Sequence, residues 1–244
     1  MHGPSQTIDF QRLKTACSSC SLHDLCMPRG LTADELRQLD ALVEERRRIK
    51  RGTRLYAAGG PFEAIYTVRL GSLKTSVLFE DGREQVTGFH MLGELVGLDG
   101  IGTEKHNCSA YALEDSEVCM LPFSRLEEFS RSIPALQRHV HRLLSTEIVR
   151  EQHSMLMLGT MRAEEKLASF LLDLSERYVR RGYSASEFVL RMTREEIGSF
   201  LGLKLETVSR LFSRFQEGGL IIAQQKYIKL LDTAGLRQLI GPAD

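Results

Sequence analysis

The chain contains no run of about 18 apolar residues, the length a helix needs to cross a bilayer. Its first residues, MHGPSQTIDFQRLK, lack the apolar core of a secretory signal. These two absences point to a cytoplasmic protein with no membrane partner. There is no excess of either charge. The 32 lysines and arginines balance the 32 aspartates and glutamates, so any surface for nucleic acid must be local. Nor is there a convincing nucleophile beside a base, a phosphate-cradling glycine loop or a flavin signature, which argues against an enzyme. His90, His106, His139, His141 and His153 are scattered without metal-ligand spacing, and His139 and His141 would point to different sides of one helix. Only five cysteines are present. In a reducing cytosol they suggest metal or redox chemistry rather than a disulfide framework.

The 244 residues, 42% hydrophobic and 26% charged, suffice for two modest domains with a real core. Four segments are expected. Residues 1–29 are short and polar and hold three of the cysteines. Residues 30–132 begin with helical spacing from Leu31 to Leu42 and then read as β to about residue 127. Glycines separate short runs such as AIYTVRL and SLKTSVLF, the pattern of a sandwich or barrel, and Asp81-Gly82 marks a hairpin turn. Residues 133–160 read as one long helix opening at Ile133-Pro134. Val140, Leu144, Ile148, Met155 and Leu158 give it one apolar stripe, interrupted by Glu151. Such a stripe packs on its own domain or forms the seam of a two-helix dimer. Glu151 then lies either at the stripe edge in water or in the seam.

Residues 161–244 read as helices followed by a small two-stranded hairpin, the wing. Thr193 and Glu196 form a capping box, and Ile197, Phe200 and Leu201 give the helix that follows an apolar face. Gly202 allows a sharp turn, and a second helix runs from about Leu205 to Glu217. Its inward positions are Val208, Leu211, Phe212 and Phe215. Its outward positions are Glu206, Ser209, Arg210, Ser213 and Arg214. Arg210 has the chemistry to donate twice to guanine in the major groove, Glu206 to accept from cytosine, and Ser209 to contact either kind of base edge. Lys204 and Arg214 suit phosphate contacts. A plain helical hairpin with solvated charges is the competing reading.

Cys17, Cys20 and Cys26 form C-x2-C-x5-C, with Cys108 and Cys119 far downstream. Thiolates bind soft metals and iron–sulfur clusters, so the chemistry alone leaves a cluster, a structural zinc site and regulatory thiol oxidation open. Cys108 also suits a small buried hydrophobe.

The segments ACSSCSLHDLC, EQVTGFH-x-x-GELVGLD, EVCMLPF and I-G-x-x-L-G-L-x-x-E-T-V-S-R-x-x-x-R-F resemble the FNR-type members of the CRP/FNR family of transcription regulators, over nearly the whole chain. That resemblance implies an α+β fold: an N-terminal β-roll (a cyclic-nucleotide-binding-like jelly roll), a long dimerisation helix and a C-terminal winged helix-turn-helix. It implies an oxygen-labile 4Fe-4S cluster on Cys17, Cys20, Cys26 and Cys119, with Cys108 outside the ligand set and His23 a spacer. It implies a homodimer in which Glu206, Ser209 and Arg210 read TTGAT-type half-sites of an inverted repeat in double-stranded DNA. It also implies a contact between RNA polymerase and the hairpin Glu80-Asp81-Gly82-Arg83. Cyclic-nucleotide binders of the wider family carry an Arg-Ser pair where this chain has Cys108-Ser109, so a filled-in pocket and no cyclic nucleotide are expected. On a twofold seam the two Glu151 carboxylates would repel by roughly 1–4 kcal/mol. Ile148, Glu151 and Met155 would then form a dimer switch that the cluster tips.

Overall fold

The computed structural model describes residues 26, 32–43 and 45–241. Cys17, Cys20 and His23 lie outside these residues. Helix α1 (Ala33–Leu42) opens on a complete capping box, in which the Glu35 amide donates to Thr32 Oγ1 and the Thr32 amide to the Glu35 carboxylate. Eight strands follow: β1 (Glu45–Ile49), β2 (Arg54–Tyr56), β3 (Ala64–Leu70), β4 (Ser72–Leu78), β5 (Glu84–Met91), β6 (Leu95–Val96), β7 (Ser109–Ala112) and β8 (Ser116–Pro122). They form two four-stranded sheets, ordered β1-β8-β3-β6 and β2-β7-β4-β5. The β4–β5 hairpin turns at Gly82, as the Asp-Gly pair predicts.

Side chains alternate across each strand, so each sheet has two faces with different duties. Ile49, Val68, Leu73, Ala110 and Val118 fill the space between the sheets. On the outer face of the β1-β8-β3-β6 sheet, Ile65, Leu95 and Leu121 meet Leu39 of α1. They also meet Leu126 of α2 (Phe123–Ser132) and Leu136 at the start of α3 (Pro134–Thr160). The β region stops earlier than the sequence suggests, because β8 ends at Pro122 and a helix begins at Phe123.

Beyond α3 lie α4 (Ala163–Val179), β9 (Glu187–Val189), α5 (Arg194–Leu201), α6 (Leu205–Glu217), β10 (Ile221–Gln224), β11 (Tyr227–Leu230) and α7 (Thr233–Ile240). The wing has three strands rather than two. Tyr227–Lys229 of β11 pair with Glu187–Val189 as well as with β10. The largest core crosses the boundary expected near residue 161. Val86, Phe89, Met91 and Leu113 of the β-roll share one cluster with Leu167, Phe170 and Leu171 of α4 and with Ile197 and Phe212 of α5 and α6. Phe89, Phe170 and Phe200 pack as a triangle of rings with centroids 5.3–6.0 Å apart. Among the described residues, no helix is long and apolar enough to cross a membrane.

Candidate functional site

The helix-turn-helix is built by local rules that the sequence displays. Thr193 caps α5 reciprocally with Glu196. Gly202 closes α5 with φ 65°, a left-handed conformation that glycine adopts without strain. Gly198 permits the close crossing, since a Cβ there would sit 2.6 Å from the Leu203 carbonyl oxygen. The guanidinium of Arg194 lies over the Phe212 ring, joining α5 to α6, and burial pushes its pKa down to about 10. Val208, Leu211, Phe212 and Phe215 are buried. Glu206, Ser209, Arg210, Ser213 and Arg214 all face outward. Three of them, Glu206, Ser209 and Arg210, share the exposed face of the first turns, while Lys204 occupies the N-cap position. No ion pair engages Lys204, Glu206 or Arg210 among the described residues. Arg214 is exposed and pairs with Glu164 of α4.

Helix α3 carries two faces. Leu136, His139 and Met157 are buried against the rest of the chain. The opposite side exposes Ile148, Val149, Met155, Leu156 and Leu158, between 41% and 71% accessible. Glu151 is exposed and falls between Ile148 and Met155 on that side. An apolar stripe of this extent in water marks an association surface.

Of the four cysteines grouped by sequence, Cys26 and Cys119 are described, and both are half-buried. Cys26 packs on the outer-face cluster with Leu39, Leu121, Leu126, Ile133 and Leu136. Cys119 lies in β8, held between Arg46 of β1 and Thr67 of β3. Cys119 and Leu121 are two residues apart in a strand and therefore point to the same outer face as Cys26. Cys108 is elsewhere. Its buried thiol donates to Asp99, and burial, with Asp99 beside it, pushes its pKa up to about 12.

Sequence reasoning missed a buried ionic joint. Glu94, in the turn after β5, accepts from Arg177 at 2.6 and 3.0 Å and from Arg181 at 2.6 Å, and Arg150 stands 3.7 Å away. The Met91 amide donates to the same carboxylate at 3.0 Å. Arg150 and Arg177 also both donate to the Phe89 carbonyl at 2.6 Å. Burial alone would raise the Glu94 carboxyl, but the charges of Arg177, Arg150 and Arg181 outweigh it and hold the group well below the usual carboxylate range. The joint connects the β-roll, α3 and α4. The only hint in the sequence was Gly93-Glu94; nothing local announced arginines from more than 80 residues away. A second contact docks α5 on the β4–β5 hairpin. Ser199 Oγ donates to the Glu84 carbonyl at 2.7 Å and accepts from the Val86 amide at 2.8 Å, while Lys74 bridges Glu84 and Glu196.

Comparison with known proteins matches two family profiles. Residues 46–132 match a cyclic nucleotide-binding domain and residues 165–239 a Crp-like helix-turn-helix domain. The transcriptional regulatory protein btr of Bordetella pertussis is 53% identical over 92% of this chain and 93% of its own. The transcriptional activator protein anr of Pseudomonas aeruginosa is 46% identical over 97% and 98%. The fumarate and nitrate reduction regulatory protein of Escherichia coli is 44% identical over 92% and 90%. Among solved structures, FixK2 from Bradyrhizobium japonicum superposes with a TM-score of 0.76 at 29% identity, over 82% of this chain and 98% of its own.

Proposed function

The chain belongs to the CRP/FNR family of DNA-binding transcription regulators, and from that premise we propose that it answers to oxygen through a 4Fe-4S cluster held by Cys17, Cys20, Cys26 and Cys119. Its relatives are regulators of transcription, not enzymes. In this reading the cluster-bearing chain pairs through α3 as a homodimer, and the dimer grips an inverted repeat of TTGAT-type half-sites. No cyclic nucleotide is needed as input.

The observation that carries the reading is that Cys26 packs on the outer face of the sheet beside Ile133 and Leu136, the face to which Cys119 of β8 also points. Two soft sulfur donors on that face, with two more cysteines in the preceding segment, fit a thiolate-bound centre. When bound, an iron–sulfur cluster supplies an oxygen-labile tie among thiolates. The chain's own residues do the rest. Cys119 is fixed by strand pairing on both sides. Cys26 shares its cluster with Ile133 and Leu136, so order at the cysteine face bears on the root of the dimer helix. Farther along that helix, Glu151 sets like charges against each other across a twofold seam. Ile148 and Met155 supply the apolar contact that opposes the repulsion. A difference of a few kcal/mol between the two states is enough to switch such an equilibrium.

On DNA, Arg210, Glu206 and Ser209 read base edges, and Lys204 meets phosphate. Two copies on one twofold axis place these helices about one turn of duplex apart. The exposed tip Phe79-Glu80-Asp81-Gly82-Arg83, braced by the Arg83–Asp81 ion pair at 2.7 Å, offers RNA polymerase a fixed contact.

The test is purification without air. About four irons and four acid-labile sulfides per chain, in a dimer that shifts an inverted-repeat DNA, are expected. Brief exposure to air should remove sulfide, dimer and DNA shift together. Zinc without sulfide, or a dimer and DNA affinity indifferent to air, would overturn the reading.

A further inference from the structure

Asp99 lies in the short 3-10 turn Leu98–Gly100, where three consecutive residues of a neighbouring loop converge on its carboxylate. The backbone amides of Asn107 and Cys108 donate to Oδ2 at 2.7 and 3.1 Å, and the Cys108 thiol reaches the same oxygen at 3.3 Å. His106 Nδ1 stands 3.2 Å from Oδ1. The Asn107 side-chain amide closes the turn by donating to the Asp99 carbonyl at 2.8 Å. Successive backbone N–H groups aimed at one point make an anion-binding nest, and a nest does not distinguish a carboxylate from a phosphate oxygen. The buried His106 ring lies flat on Tyr56, with centroids 3.7 Å apart, and meets Phe62 edge-on.

We propose that Asp99 is a built-in ligand: its carboxylate fills an oxyanion site formed by residues 106–108, and removing it creates a binding site for a small oxyanion. The proposal deepens the nucleotide-independent part of the reading above and does not depend on the cluster. The domain type matched by residues 46–132 is one that binds a phosphate-bearing ligand. Here the anion comes from the chain itself. The same loop carries the backbone bonds that hold its surroundings together. The Gly59 amide donates to the His106 carbonyl at 2.8 Å, the His106 amide to the Gly60 carbonyl at 3.0 Å, and the Ala58 amide to Ser109 Oγ at 2.9 Å. Asp99 therefore keeps these loops in one arrangement with no diffusible effector.

Chemical rescue tests the proposal on the full chain. Asp99→Ala should unfold at a lower temperature than the native protein in chloride. Formate or inorganic phosphate at matched ionic strength should raise its midpoint, while leaving the native protein and Asp99→Asn unmoved. Cyclic AMP should do no more for Asp99→Ala than inorganic phosphate does. Asp99→Asn keeps the shape and one acceptor, so it covers the case in which the alanine variant does not fold. In it the Asn107 and Cys108 amides should exchange with solvent roughly tenfold faster than in the native protein. An alanine variant as stable as the native protein would overturn the proposal. So would a folded one that no anion rescues, an equal anion effect on the native protein, or unchanged exchange in Asp99→Asn. Cyclic AMP binding to the native protein would instead overturn the nucleotide-independent reading.

Discussion

Glu94 of the β-roll and Arg210 of α6 both carry charge, and the structure treats them in opposite ways. Glu94 is surrounded by Arg150 of α3, Arg177 of α4 and Arg181 in the turn after α4. Arg210 and its neighbour Glu206 project from α6 with no ion pair among the described residues. The contrast teaches that a charge holding this fold has its partners inside the chain, whereas the charges we propose for DNA are left without one. The two should fail differently when removed.

The largest effect is expected inside. Glu94→Ala leaves buried arginines without a counter-charge and should lower unfolding stability by about 3–5 kcal/mol, read by denaturant titration. A loss no larger than that of an exposed glutamate would break the comparison. Next comes the seam of the proposed dimer, in which Glu151→Ala would remove a facing pair of like charges. It should strengthen dimerisation of the cluster-free protein by roughly 1–4 kcal/mol in sedimentation. An unchanged dimer constant would place Glu151 at the edge of the stripe, in water. Outside, Arg210→Ala should weaken binding to an inverted-repeat site by about 1–3 kcal/mol and relax the preference at one base, with the thermal midpoint unmoved. A shifted midpoint would show Arg210 serving the fold as well.

The smallest effect is a pH dependence. His90 is buried beside Thr75. Burial, with Arg150 and then Arg177 adding like charge, pushes its pKa from the ordinary 6.5 down to about 3. Between those values the unfolded chain takes up a proton that the folded chain refuses, so stability falls as the pH drops below 6.5. The slope from this residue approaches about 1.4 kcal/mol per pH unit. Between pH 6.5 and 4.5, above the ordinary glutamate value, His90→Gln should flatten the stability curve. An identical slope in the variant would assign the pH dependence to other groups.

The reading half of the molecule was legible because its rules are local. Thr193 and Glu196 announce a helix start, Gly202 a turn, and Val208, Leu211, Phe212 and Phe215 a buried face, all within one short stretch. The hairpin at Asp81-Gly82 and the helix start at Pro134 follow from equally short-range chemistry. The joint was not legible, since Arg177 and Arg181 meet Glu94 only after the chain has folded. The third wing strand escaped notice because Glu187–Val189 is too short to show alternation, and pairing with β11 alone makes it a strand. In the sequence Cys108 suits a small buried hydrophobe, and it is buried. The hydrogen bond its thiol donates to Asp99, nine residues away, needed the fold. The exposed face of α6 was recognisable from its side chains. The tie between Arg214 and Glu164 needed the packing of α4 beside it.

The rings of Phe89, Phe170 and Phe200 meet where a roll and a helix-turn-helix would otherwise be two beads on a string. A chain cut after Thr160 would leave each fragment with a wet, sticky scar. One would bare Phe89 and Met91, the other Phe170 and Leu171. Neither piece should behave as a faithful miniature of the whole, and heating the intact chain should melt both ends in one cooperative step.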